Sequence, residues 1–270
     1  MSSDQGLHAA TGQEVSADAY DRYIGRWSRL VVPSLLAAAE VGSGDRVLDV
    51  ATGTGEAAIA AIPLVGDAGM VVGADISAAM LAAARSRLPR SFRAVVTDGQ
   101  ALAFQNAGFD AVICQLGLMF FRDPARGLAE FRRVLRGGRR AAACVNSTPD
   151  RAPMWGPLAS ALGRQLPDRH NEFQLSFSLG DARRLEQIFV AAGFRDVRVE
   201  RETRDGIIGS LDEYWDAIEA GTGQMPLAYR TLTEAQRDTV HEEVSAALLP
   251  FVSNGRLELS VETLIGVGRA

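Results

Sequence analysis

The sequence predicts an α/β fold with a doubly wound, mostly parallel seven-stranded sheet, of the Rossmann-like type, carrying helical lid insertions. Between residues 46 and 146, short apolar runs typical of strands alternate with helical runs, and a similar pair recurs later. Parallel neighbours require crossover connections, so this alternation predicts helices on both faces of the sheet. A glycine turn after the first strand indicates a ligand site, because open parallel sheets bind ligands beyond the carboxyl ends of their strands.

The elements follow in order along the chain. An amphipathic stretch from Ser16 predicts one or two helices, broken near Gly25 and Pro33. Ser77 is a predicted N-cap, because its hydroxyl can accept from the first turn of the helix that follows. The core strands are predicted at 46–51, 70–76, 91–97, 109–116 and 139–146, and the core helices at 56–62, 77–88 and 124–135, the last ended by Gly137 and Gly138.

We expect these elements to form one structural domain overall. We predict N-terminal cap helices in residues 1–45 and the ligand-binding core in residues 46–146. A lid segment is predicted in residues 147–181, which are rich in proline, glycine and aromatic residues. Residues 182–202 predict a core helix and strand, 203–252 a helical insertion with helices near 211–220 and 233–249, and 253–270 a closing core strand.

The composition excludes several reaction classes. All 28 basic residues are arginine, so Schiff-base, lysine-dependent pyridoxal and lysine P-loop chemistry lack their amine. Cys114 and Cys144 lie in apolar runs, so neither a disulfide framework nor a cysteine metal site is expected. A net charge of −5 without a basic block argues against a nucleic-acid partner. The polar N-terminus and the lack of a long apolar run predict a cytoplasmic location without stable membrane insertion.

The first strand and its turn read VLDVATGTGE. Gly53 and Gly55 permit a tight turn and a close approach to a flat ligand, and the next helix points its amides at the site. Together with Ala58 they also satisfy the relaxed dinucleotide fingerprint. Glu56 at the helix N-terminus would oppose a diphosphate unless its side chain points away, which favours a ligand with an adenosine and an ammonium but no phosphate.

This turn resembles motif I of class I S-adenosylmethionine (SAM) dependent methyltransferases, and its variant D-x-A-x-G-T-G-[DE] is similar to that of the ubiquinone/menaquinone-biosynthesis C-methyltransferases. Asp49 suits contacts to the ligand's amino group. The resemblance implies that Asp75 accepts the ribose hydroxyls and that Asp98 meets the adenine amino group. The run from Phe109 resembles the family's fourth strand, helix and glycine turn, although the proline that commonly precedes the glycines is absent. Residues 20–146 match closely, and the strands near 194–200 and 256–268 loosely.

The implied cofactor is S-adenosyl-L-methionine, with S-adenosyl-L-homocysteine as its product. The resemblance implies that it is bound by Tyr23, Asp49, Ala51, Gly53, Gly55, Asp75, Ile76, Met80, Asp98, Gly99, Gln100 and Gln115. Each acid has an alternative role, since an aspartate after a strand commonly caps a helix or starts a turn. The alternative for Met80 is core packing, and for Tyr23 a packed helix face.

The implied reaction is in-line transfer of a methyl group to an oxygen, carbon or nitrogen atom of a small molecule. An apolar or aromatic acceptor is expected, because the lid and insertion contain Met154, Trp155, Phe173, Phe177, Tyr214, Trp215, Met225 and Tyr229. The alternatives for these residues are packing of the lid against the body and a homodimer contact. His170 and His241 are candidate general bases, but a surface position is the alternative for each, so no catalytic residue is predicted. Two rival classes are a non-methylating protein of this fold and an NAD(P)-dependent oxidoreductase, which would leave Asp98 unexplained.

Overall fold

Eight strands form one sheet in the computed structural model, which describes residues 26–221 and 223–270. The strands are β1 (Arg46–Val50), β2 (Met70–Asp75), β3 (Arg93–Val96), β4 (Phe109–Gln115), β5 (Leu135–Asn146), β6 (Arg195–Ile208), β7 (Val252–Ser253) and β8 (Arg256–Arg269). The order across the sheet is β3-β2-β1-β4-β5-β8-β6, with β7 paired to β8. Neighbours from β3 to β5 are parallel, and β8 is antiparallel to both β5 and β6. The predicted doubly wound, mostly parallel sheet is confirmed, and the two-residue β7 is an addition.

The helices that the structure describes connect these strands and cover both faces of the sheet. They are α1 (Arg26–Ala38), α2 (Glu56–Val65), α3 (Ala78–Arg87), α4 (Pro124–Val134), α5 (Gly156–Gln165), α6 (His170–Gln174), α7 (Ala182–Ala191), α8 (Leu211–Ala220), α9 (Gln224–Arg230) and α10 (Glu234–Leu248). One core contains side chains of α1 and α2, and the core on the opposite face contains side chains of α4 and α7. Ser77 caps α3 as predicted, since its hydroxyl accepts from the amide of Met80 at 3.3 Å.

The predicted break at Pro33 is wrong, because α1 runs through this residue to Ala38. Pro33 is exposed, whereas Val32 and Leu36 are almost fully buried against the sheet. Burial of this apolar face stabilises the helix despite the hydrogen bond that a proline removes. The helix therefore continues as a cover over the sheet.

Other boundaries differ because tertiary pairing extends or adds elements. The strand predicted from Arg139 begins at Leu135, directly after α4, and includes the predicted glycine turn, where Gly138 has φ +80°. β6 extends to Ile208 because it pairs with β8 along its whole length. The 147–181 segment forms α5, α6 and three single-turn helices, and α9 lies within the 203–252 segment.

A separate core joins the lid segment to the helical insertion. Trp155, Leu158 and Phe173 of the lid segment pack with Tyr214 and Trp215 of α8, and all five are almost fully buried. The lid segment and insertion therefore form a packed layer that includes Trp27 of α1.

In the described part of the chain, no helix combines the length and apolarity needed to cross a membrane.

Candidate cofactor and acceptor site

The strand order reverses between β1 and β4, and the residue after each strand has left-handed backbone. Ala51 has φ 56° and Leu116 has φ 52°, a conformation that costs a non-glycine residue about 1–2 kcal/mol. Gly117 follows, and a Cβ atom there would collide with the side chain of Ala51. The two strand ends thus meet tightly at the place where open parallel sheets bind ligands.

The predicted glycine turn has the expected backbone. Gly53 has φ 55° and Gly55 has φ 90°, so both positions favour glycine. Gly55 precedes α2, and a Cβ atom there would lie 2.6 Å from a methyl carbon of Leu88. The amide of Gly53 donates to Asp75 Oδ2 at 2.9 Å, which connects the turn to the end of β2.

Asp49 is fully buried at the end of β1. The hydroxyl of Thr52 donates to its Oδ2 atom at 2.6 Å. Burial raises the pKa of Asp49 to about 7, although the hydrogen bond from the Thr52 hydroxyl opposes this effect. Its Oδ1 atom has no hydrogen-bond partner among the described residues.

Both oxygens of Asp75 accept backbone amides. Oδ2 accepts from Gly53, and Oδ1 accepts from Ser77 at 2.8 Å. Desolvation raises the pKa of Asp75, although these amides oppose it. Each carboxylate oxygen has a second lone-pair site, so the turn role and the predicted bonds to ribose hydroxyls are compatible.

Asp98 and Gln100 form a turn at the end of β3. Asp98 Oδ1 accepts from the amide of Gln100 at 2.8 Å, and Gln100 Oε1 accepts from the amide of Asp123 at 2.7 Å. Beside this turn, Ile76 and Val96 each expose 57% of their surface. The exposed aliphatic side chain of Ile76 offers an apolar surface for a flat ring.

The remaining predicted residues have mixed roles. Gly99 lies where a Cβ atom would collide with Phe121, so close packing alone requires glycine there. Met80 is half-buried near the start of α3. Tyr23 lies outside the described residues. Gln115 lies under α1 and donates from Nε2 to the carbonyl of Ser28 at 3.4 Å.

Glu56 points toward two arginines, and the sequence did not indicate this contact. This buried carboxylate lies 2.5 Å from the guanidinium of Arg87 and 3.3 Å from that of Arg29. The two cations balance its charge, so the sequence argument that Glu56 repels a diphosphate is weaker than expected. The same contacts connect α1, α2 and α3 beside the glycine turn.

Several buried polar atoms at the carboxyl edge have no hydrogen-bond partner within the described ranges. They are Asp49 Oδ1, Thr54 Oγ1, Gln115 Oε1, Asn146 Oδ1 and, on the covering helix α1, Trp27 Nε1. An unpaired buried polar group costs about 1–3 kcal/mol. An ammonium group has three N–H donors and no acceptor, so it complements Asp49 Oδ1 and Gln115 Oε1. The residues present therefore fit a cofactor with an ammonium group beside its adenosine.

The predicted acceptor-lining residues mostly form core. Met154 and Tyr214 line a cavity of about 230 Å³ with Ile208, Glu213, Asp216, Ala217 and Ala220. Trp155 lines a smaller cleft of about 10 Å³ with Trp27, Val31, Leu116, Arg204, Val261 and Thr263. The other five pack in the core between lid segment and insertion, as the packing alternative predicts.

Neither of the two histidines in the described residues lies on a strand of the sheet. His170 begins α6 and lies against Gly163, and His241 of α10 stacks on Trp215 with ring centroids 4.3 Å apart. Among the residues described, no group of three His, Cys, Asp or Glu side chains is arranged to hold a metal ion. No sequence motif points to Asn146, and the helical spacing of Trp27 from Tyr20 and Tyr23 predicts only a packed face or a binding surface. The unpaired atoms of Trp27 and Asn146 emerge only from the fold.

The sheet order and glycine turn agree with comparisons to known proteins. Residues 47–138 match the family described as a methyltransferase domain. A structure from Bacillus halodurans, solved as that of a candidate methyltransferase, superposes with a TM-score of 0.58 at 21% identity, covering 88% of this chain and 97% of that one. The fold is therefore that of the class I methyltransferases.

Two relatives of named activity add similarity at the level of sequence. A demethylmenaquinone methyltransferase from Mycobacterium sp. (strain KMS) is 41% identical over 114 residues, which cover 42% of this chain and 46% of the relative. A ubiquinone/menaquinone biosynthesis C-methyltransferase from Xanthomonas campestris is 40% identical over 120 residues, covering 43% of this chain and 46% of that protein. The chain thus spans about half the length of the curated relatives it matches. The predicted similarity to this group of SAM-dependent enzymes is confirmed.

Proposed function

We propose that this protein is a SAM-dependent methyltransferase acting on a small molecule. The observation that carries the proposal is the pair of unpartnered buried oxygens, Asp49 Oδ1 and Gln115 Oε1, beside the glycine turn. These acceptors require donors, and an ammonium group provides them. Asp75 and Asp98 follow at the ends of the next two strands, β2 and β3.

The chain's own residues bind and orient the cofactor. Asp75 accepts the ribose hydroxyls while the amides of Gly53 and Ser77 hold its carboxylate in place. Ile76 contacts the adenine face, and Asp98 accepts from the adenine amino group. When bound, SAM supplies a methyl group that an acceptor removes by in-line displacement.

The acceptor's side of the site is covered by α1 and the lid segment. Trp27 and Trp155 are almost fully buried there, and their ring centroids lie 6.4 Å apart. Enclosure and alignment of two reactants contribute on the order of 10 kcal/mol to lowering a barrier. We infer an apolar or aromatic acceptor, and the names of the curated relatives favour a quinone-type molecule methylated on carbon.

Three further expectations accompany the proposal. The acidic net charge and the absence of a basic block favour a small-molecule acceptor over a nucleic acid. A cytoplasmic location and a homodimer stay predictions. Size-exclusion chromatography with light scattering at several protein concentrations measures the oligomeric state directly.

The first experiment is calorimetric titration with SAM, S-adenosylhomocysteine and NADH in parallel. We expect micromolar binding of both adenosyl ligands and none of NADH. Asp75→Ala removes the acceptor for Gly53 and the ribose, so binding should be lost, whereas the exposed Asp67→Ala is the matched control. NADH binding alone would contradict the proposal and favour an oxidoreductase.

The second experiment measures turnover. The protein is incubated with SAM and 1,4-naphthohydroquinone under reducing conditions, and S-adenosylhomocysteine and the methylated ring are quantified by mass spectrometry. A product carrying its new methyl on carbon supports the quinone-type assignment. A methyl ether of the same ring supports methyl transfer and contradicts carbon methylation.

A further inference from the structure

Gln115 and Asn146 are two buried amide side chains whose orientation is determined by their partners. Gln115 Nε2 donates to the carbonyl of Ser28 at 3.4 Å, and Asn146 Nδ2 donates to the carbonyl of Ser176 at 3.1 Å. A backbone carbonyl only accepts, so each amide nitrogen must face its carbonyl. The unpartnered atoms are therefore the oxygens, Gln115 Oε1 and Asn146 Oδ1.

These two amides lie on the same face of the sheet. Gln115 pairs in register with Cys144, and Asn146 is two residues further along β5, so their side chains point to the same side. Asn146 in turn pairs with Thr263 of β8. Thr263 lines the cleft that contains Trp27 and Trp155, so Asn146 lies at the border of this cleft.

One residue that lines the cleft carries an unpaired donor, and the neighbour of another lining residue carries an unpaired acceptor. Trp27 is 3% exposed and its Nε1–H has no partner in the described structure, while Asn146 is 7% exposed and its Oδ1 atom has none. A hydroxyl group both donates and accepts, so it has the two functions that this donor and this acceptor require. A carboxylate or a carbonyl lacks the donor, and an ammonium lacks the acceptor.

We propose that Asn146 and Trp27 together recognise a hydroxyl group on an aromatic methyl acceptor. The inference rests on the proposed function and deepens it, because it assigns acceptor-binding residues at the ends of β5 and α1. Asn146 Oδ1 accepts from the hydroxyl, and Trp27 Nε1 donates to the hydroxyl oxygen. The indole rings of Trp27 and Trp155 contact the acceptor's ring.

The cleft must widen for a ring to enter. Its volume of about 10 Å³ holds no more than one water-sized sphere. The wall formed by Trp27 belongs to α1, and the wall formed by Trp155 precedes α5. The proposed binding therefore requires α1 to separate from the lid segment, and it requires no movement of the sheet.

The test uses a matched pair of probes, 1-naphthol and 1-methoxynaphthalene, titrated into protein saturated with S-adenosylhomocysteine. The ether keeps the oxygen acceptor and lacks the donor. We expect the wild-type protein to bind 1-naphthol about tenfold more tightly, as one hydrogen bond of about 1.4 kcal/mol implies. Asn146→Leu should bring the ratio of the two affinities close to one.

Trp27→Phe distinguishes this arrangement from a general loss of packing. It removes the N–H that serves both probes, so both affinities should fall by the same factor and their ratio should stay near ten. Asn146→Ala, which adds no bulk, replaces Asn146→Leu if that variant does not fold. The exposed Asn171→Leu is the control and should change neither value.

Three results would overturn the inference: no measurable binding of 1-naphthol to the loaded protein, equal binding of both probes to the wild type, or an unchanged ratio in the Asn146 variants. Binding of S-adenosylhomocysteine is recorded first for every variant. If the wild-type protein does not bind it, the proposed function fails and this inference fails with it. If it binds and the probe ratio is insensitive to Asn146, only the hydroxyl recognition fails.

Discussion

The amide of Gly53 donates to Asp75 Oδ2 at 2.9 Å, so the turn after β1 is attached to the end of β2. In the native protein the amides of Gly53 and Ser77 each donate to one oxygen of Asp75. Asp75→Asn keeps an oxygen for one of these amides and turns an NH₂ group toward the other. We expect SAM affinity to fall at least about tenfold, the effect of losing roughly one good hydrogen bond. Calorimetry measures this loss, and Asp67→Asn on the surface should bind like the wild type.

We expect Asp49 to make cofactor binding pH-dependent. Burial raises its pKa from 3.8 to about 7, so the cofactor-free fold holds a proton there below about pH 7. An ammonium beside the carboxylate favours its charged form, so SAM binding near pH 6 should release a proton and binding near pH 8 should not. Calorimetry in buffers of different ionisation enthalpy counts the proton, and Asp49→Asn should abolish the difference between the two pH values.

The same group affects stability in a defined direction. A carboxyl with a raised pKa in the folded state stabilises the fold below its ordinary pKa, and this contribution is lost as pH rises through the folded value. The free energy of unfolding without cofactor should therefore decline between about pH 4 and pH 7, and less steeply in Asp49→Asn. Urea unfolding at several pH values tests this, and parallel profiles for the two proteins would contradict it.

Phe121 packs against two glycines, Gly99 and Gly127, and a Cβ atom at either would collide with its ring. Gly99→Ala should lower the free energy of unfolding by about 1–3 kcal/mol, as expected for overpacking. Gly137→Ala is the matched control, because no atom lies within 4 Å of the added carbon. Restoration of stability by Phe121→Leu in the Gly99→Ala background would show that the ring is the obstacle, and its failure would contradict this account.

Glu56 stabilises the contact of α1 with the glycine turn through Arg29 and Arg87. Glu56→Gln should lower the free energy of unfolding by about 1–2 kcal/mol, because the carboxylate is buried while Arg29 is 46% exposed and screened. The exposed pair of Arg198 and Glu200 provides a control, and Glu200→Gln should have little effect. Equal losses in the two variants would show that burial of Glu56 is unimportant.

The sequence predicts the parts of the fold in which local patterns and tertiary structure agree. The strands at β1, β2 and β4 and the cap at Ser77 follow from apolar runs and a hydroxyl before a helix. The continuity of α1 through Pro33 depends on burial of its inner face, which no local signal encodes. Helix α5 lies in a segment whose prolines and glycines indicate a loop, and it forms because Leu158 and Leu162 are buried against the insertion.

The candidate site likewise contains residues that the sequence predicts and residues that only the fold brings together. Motif spacing identifies Asp49, Asp75 and Asp98, because each follows or ends a strand whose position is readable. The arginine partners of Glu56 come from α1 and α3, and Asn146 matters only because β5 pairs with β4 and β8. Such contacts between distant segments require the folded chain.

The helical insertion leaves and rejoins the sheet at one point, because Ile208 at the end of β6 pairs with Leu257 at the start of β8. Everything between them, α8 to α10 and the short β7, enters and leaves the sheet through adjacent chain ends and packs against the lid segment. Because this entry and exit are adjacent, the length of the segment does not set the register of β1, β2 and β3, whose carboxyl ends carry or precede Asp49, Asp75 and Asp98. The half of the sheet that bears the three aspartates is thus separate from the half that bears the insertion, because β4 and β5 lie between them.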